Sequence, residues 1–120
     1  MSERSVFQHF RDREALFEAV AREQYERVVP TIRPVDASLS LAERVDALVT
    51  QRCSMFERAA GVRRAALLME PESDVVAGWL TSVRRAKGAE VERVFRRELE
   101  ATPADQRESL RAALVAAFAW

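Results

Sequence analysis

Apolar positions in this chain recur at helical spacing in one stripe after another, and the breaks between stripes set out its elements. Val6, Phe7 and Phe10 form a short first stripe behind Ser2, a good N-cap, and Arg11 and Asp12 interrupt it. Asp12 offers acceptor oxygens to the free N–H groups of a new helix, and Glu14 places negative charge in its first turn. A second helix is therefore predicted to start near Arg13. Leu16, Phe17, Val20, Ala21 and Tyr25 carry it forward until Pro30 and Pro34 stop the pattern. Val35 to Leu39 reads as a connector, and Ser40 with Glu43 has the spacing of a capping box. Leu41, Val45, Leu48, Val49, Cys53 and Phe56 then predict a helix from about Leu41 to Ala59, with Gly61 suited to a left-handed residue near its end.

Val62 to Met69 reads as a separate short helix, ended before Pro71 by the extended bias of a residue preceding proline. Ser73 or Asp74 caps a long helix to about Leu99, whose stripe is Val76, Trp79, Leu80, Val83, Ala86, Val91, Val94 and Phe95. Gly78 and Gly88 each weaken it by roughly 0.8 to 1 kcal/mol relative to Ala, so a bend or a close helix contact fits at either. Thr102 with Asp105, and Pro103 at the first helical position, opens a last helix through Leu110, Leu114, Phe118 and Trp120. That helix reaches the last residue with no Gly, Pro or polar cap, the appearance of a cut helix. No alternating run rich in Val, Ile or Thr is present, and the expected fold class is all-α.

Composition narrows the function classes more than it selects one. At 120 residues, 48% hydrophobic and 32% charged, the chain is one domain's worth of foldable sequence. Lys plus Arg and Asp plus Glu are 19 each, so no basic excess announces nucleic acid as a partner. Cys53 is the only cysteine, which excludes an intramolecular disulfide and a cysteine-based zinc site within one chain and fits a reducing, cytoplasmic setting. There is no leader pattern and no apolar run approaching the roughly 18 residues of a membrane span. With one His, no glycine-rich phosphate loop and no His-Glu-x-x-His motif, neither an enzyme nor a metal or cofactor is expected.

The opening stretch carries the candidate chemistry. A first helix of about nine residues is too short to stand alone in water, so another element should cover Val6 and Phe10. Ser-x-x-Ser-Val-Phe-x-His-Phe followed by Asp-Arg-Glu-Ala-Leu, over residues 2–16, resembles the recognition helix and following helix of the tetracycline-repressor-like (TetR) regulators. The resemblance implies a partial helix-turn-helix over residues 1–28 and a helical ligand-binding and dimerisation domain over residues 29–120, truncated at both ends. It also implies a homodimeric repressor that a small-molecule effector releases from double-stranded operator DNA. Beyond residues 2–16 the match is only of helix order and length.

On that resemblance Ser2 belongs to the DNA-binding residues, Glu3, Arg4 and Ser5 lie near the base edges, and Arg4 is the first choice as a reader because arginine can pair with guanine O6 and N7 together. Gln8, His9 and Arg13 are candidates for phosphate contacts, against the plainer reading of His9 as a structural residue. The family usually carries Tyr where this chain has Phe7, so the hydroxyl that commonly touches the backbone is missing. Cys53, Phe56, Leu67, Met69, Trp79, Val83 and Phe118 are candidates for an apolar effector pocket, with Arg63, Arg64 or Arg84 as charged anchors, although such stripes are mostly core. The alternative function is a helical ligand-binding or dimerisation module without DNA-binding activity of its own. Truncation further predicts that Val6, Phe7 and Phe10 are less buried than their character demands, or are covered by a neighbouring chain.

Overall fold

The computed structural model describes Arg4 and residues 12–118 of the chain. Among these residues there are five α-helices and no strand, an all-α fold. The helices are α1 (Arg13–Val28), α2 (Leu41–Met69), α3 (Asp74–Val94), α4 (Arg96–Ala101) and α5 (Ala104–Phe118), with a 3-10 turn at Val29–Thr31. Their packing divides the chain into two compact units, residues 1–32 with 57–80, and residues 33–56 with 81–120.

Helix starts follow the local capping chemistry. Asp12, in an extended conformation, accepts a 2.8 Å hydrogen bond from the Ala15 N–H and opens α1. Ser40 and Glu43 close their capping box: the Ser40 N–H donates to Glu43 at 3.0 Å, and the Glu43 N–H donates to Ser40 Oγ at 3.3 Å. Ser73 rather than Asp74 caps α3, its hydroxyl accepting from the Val76 N–H at 3.2 Å.

Three expectations need correction. The helices expected at 41–59 and 62–69 are one, α2, and Gly61 sits inside it, exposed, with nothing within 4 Å of where a Cβ would lie. A single glycine costs about 1 kcal/mol, too little to stop a helix that continues through good helix formers and buries Ala66 completely. The long helix expected to Leu99 is interrupted at Phe95 (φ −103°, ψ 20°), while α3 runs unbroken through Gly78 and Gly88, with nothing within 4 Å of where a Cβ would lie at either. Thr102 does not cap the last helix; its hydroxyl turns back to the Glu98 carbonyl at 2.7 Å, and the Pro103 carbonyl accepts from Gln106 and Arg107. Trp120 lies outside the described residues.

The first unit is built on Phe17, Ala21, Ala66, Val76 and Leu80, with Val62, Met69 and Trp79 packed against them. The Phe17 and Trp79 rings meet edge to face, with centroids 5.5 Å apart. Only part of the α1 stripe is used, since Val20 and Tyr25 remain 46% and 58% exposed. Gln24 donates to the Arg58 carbonyl at 2.7 Å, and Arg58 donates to Thr31 Oγ1 at 2.9 Å, which ties α1 and the 3-10 turn to α2.

The second unit has Val35, Leu48, Val91, Val94 and Phe95 at its centre, with Leu114, Val115 and Phe118 of α5 against them. Arg44 is buried among these groups, 2% exposed. Its guanidinium donates to the Leu39 carbonyl at 3.0 Å and the Val94 carbonyl at 2.5 Å, and to both Glu98 oxygens at 2.9 and 2.5 Å, while lying 5.9 Å from the Phe95 ring centroid. It thus holds a carbonyl at the α3–α4 interruption and the carboxylate of α4 together. Arg52 makes a second bridge, donating to the Phe118 carbonyl at 3.1 Å and pairing with Glu90 at 3.1 Å.

The hydrogen bond from Arg44 holds the Glu98 carboxyl below its usual value of 4.5. A carboxyl lowered on folding stabilises the fold fully above the unfolded value and loses that contribution as pH falls through the folded value. Arg44→Ala is expected to cost about 3 to 5 kcal/mol, because it strands Glu98 and empties a filled site; chemical denaturation measures this. The stability gap between wild type and Glu98→Gln should be complete above about pH 4.5 and shrink on acidification. A gap constant from pH 7 into acid would contradict it.

Candidate functional site

The start of α1 is where the described structure meets the motif over residues 2–16. Asp12 ends the preceding segment and caps α1 twice over: its side chain takes the Ala15 N–H, and its carbonyl takes the Leu16 N–H at 3.2 Å. Arg13, the first residue of α1, is exposed, and no described residue forms an ion pair with it. Its guanidinium is therefore available beside a helix N-terminus, where the backbone field also favours an anion. Arg4 is helical and exposed. Ser2, Glu3, Ser5, Phe7, Gln8 and His9 lie outside the described residues, as do Val6 and Phe10, on which the burial expectation rests.

Behind Arg13, Glu14 points the other way. Its carboxylate accepts a hydrogen bond from the Ser73 hydroxyl, 59 positions along the chain. Ser73 is 6% exposed and is the cap of α3. Asp12, Arg13 and Glu14 from α1, with Met69, Glu72 and Ser73 from the α2–α3 turn, line an open cleft of about 450 Å³. Three of those six residues are carboxylates and one is a cation. Among the described residues, no cluster of three or more His, Cys, Asp or Glu side chains is placed to hold a metal ion.

The residues considered for an effector pocket fall into both units. In the first, Met69 and Trp79 pack on the Phe17 core, while Leu67 is 42% exposed. In the second, Phe118 stacks on Phe95 at 5.6 Å, Val83 is half-buried, and Cys53 and Phe56 are exposed. Met69 and Trp79 pack against the core of the first unit, and Phe118 against that of the second. Arg63, Arg64 and Arg84 were candidate anchors on charge alone, and Arg64 and Arg84 are exposed.

The Glu14–Ser73 contact is the feature that reading along the chain could not supply. Ser73 is legible as a helix cap and Glu14 as a favourable first-turn charge, but each reading is local and says nothing about their meeting. No protein-family model, curated protein or solved structure matches this chain.

Removing the α1 cap tests whether this helix start is held as described. Asp12→Ala is expected to lower stability by about 1 kcal/mol and Asp12→Asn by less, since the amide oxygen can still accept. Thermal melts of the two variants distinguish them, and equal losses would show that the cap oxygen is not what matters.

Proposed function

We propose that this chain is part of a ligand-responsive transcriptional repressor similar to the TetR regulators, cytoplasmic and homodimeric, with residues 2–11 serving as its DNA-reading segment. The observation that carries the reading is the motif at residues 2–16, with its helix boundary at Asp12. The exposed Arg13 at that boundary adds support, because a cation at a helix N-terminus suits a phosphate contact that sets register without reading bases. Arg4, helical and exposed, is assigned the reading role: its guanidinium can donate two parallel hydrogen bonds to guanine in the major groove. No described helix is long and apolar enough to cross a membrane, which is consistent with a DNA-directed role.

Release would follow from differential binding. An effector that favours a dimer conformation whose reading segments no longer match two half-sites moves the population away from the DNA-bound state. The chain's charge balance, 19 against 19, means that affinity must come from placement of a few cations rather than from a general basic field.

The test is selection of binding sequences from a random duplex pool with the longest in-frame product containing this sequence. Arg4→Ala should relax preference at one base-pair position, by about 1 to 3 kcal/mol of lost discrimination. Arg13→Ala should instead weaken binding uniformly and reduce the salt slope by about 1. Unchanged affinity and preference in Arg4→Ala removes Arg4 as a reader. Failure of the wild type to select any sequence would favour the helical module without DNA binding.

A further inference from the structure

We infer that Ser73 and Glu14 act together as positioning residues for the DNA-reading segment, an inference that rests on the DNA-binding reading above. The Ser73 hydroxyl has a single proton. Its contact with the Val76 N–H is made as acceptor, so that proton is committed to Glu14. The result is a directed chain from the first turn of α3 through one buried hydroxyl to the first turn of α1. Each bond polarises the next, and the hydroxyl at their junction belongs to a buried residue.

Glu14 is the second residue of α1, and Asp12, which caps that helix, immediately follows the reading segment. A carboxylate held at this position constrains how the first turn of α1 is rotated and tilted, and that turn is the one to which the reading segment is joined. The core beneath cannot do this alone. Phe17, the first buried residue of α1, lies a turn further on, and residues 12–16 are exposed or only half-buried. Ser73 therefore supplies the orientation that apolar packing leaves open at this end of the helix.

Two measurements on the longest in-frame product test it: affinity for the duplex that the wild type selects from a random pool, well below the melting temperature, and amide hydrogen exchange. Ser73→Ala removes the tie and the α3 cap, whereas Glu14→Ala removes the tie and leaves the Ser73–Val76 cap in place. Each is expected to weaken DNA binding by about tenfold or more, the scale of a lost hydrogen bond to a charged group, and the double variant no further than Ser73→Ala. Ser73→Thr should restore both tie and affinity. Exchange at Ala15 and Leu16 should quicken in both alanine variants. Unchanged exchange there overturns the tie itself. Quicker exchange with wild-type DNA affinity reduces it to a structural contact and overturns the positioning role. A wild type that selects no duplex overturns the DNA-binding reading, and the positioning role falls with it whatever the exchange result.

Discussion

A guanidinium cannot be buried unless almost every N–H finds an acceptor, and the second unit is arranged around meeting that demand for Arg44. Leu39 and Val94 supply carbonyls and Glu98 supplies both carboxylate oxygens. These acceptors come from the connector before α2, the end of α3 and the body of α4, so one side chain decides how three segments approach. The Val94 carbonyl that accepts from Arg44 lies beside the interruption at Phe95, where the Phe95 N–H still donates to Val91 and the Leu99 N–H to Phe95. Phe95 is buried beside Arg44 and stacks on Phe118 of α5.

Arginine plays this structural part repeatedly. Arg52 donates to the carbonyls of Phe118 and Lys87, Arg93 to that of Val35, and Arg107 to those of Leu99 and Thr102. Arg111 joins Glu92 and Glu108 on the surface. A planar fork of donors on a long stem suits this work, since it can satisfy helix-end carbonyls that no neighbouring N–H reaches. Counting basic residues therefore overstates what the chain could offer to phosphate. Arg13, exposed at a helix start and without an ion-pair partner among the described residues, differs in kind from Arg44 or Arg52.

The first unit rests on apolar packing stapled by caps. Phe17 and Trp79 bring α1 and α3 together, and Ser73 and Glu14 join the starts of the same two helices. Packing of this kind resists separation of helices better than it resists their rotation, because dispersion and burial are weakly directional while a hydrogen bond has a preferred line. Polar ties near helix starts thus complement the core, and here they sit next to the segment for which a DNA-reading role is proposed.

The helix starts were legible in the amino-acid order because each depends on hydrogen bonds spanning about three residues: Asp12 to Ala15, Ser40 to Glu43, Ser73 to Val76. The all-α class was legible for a similar reason, since helical spacing of apolar residues is a local property. Helix interiors and ends were less so. Gly61 looked like a terminator but lacked any partner that would make termination favourable, and Thr102 looked like a cap but found the Glu98 carbonyl instead. The motif at residues 2–16 was likewise readable in one dimension, and with it Arg4 and Arg13 as candidates. What only the tertiary structure decided were the long-range partners: the Val94 carbonyl, beside the interruption at Phe95, with an arginine 50 positions away, and Glu14 with Ser73. Their cause is the cost of burying polar groups unpaired, which depends on what the rest of the chain brings alongside and leaves no mark in local spacing.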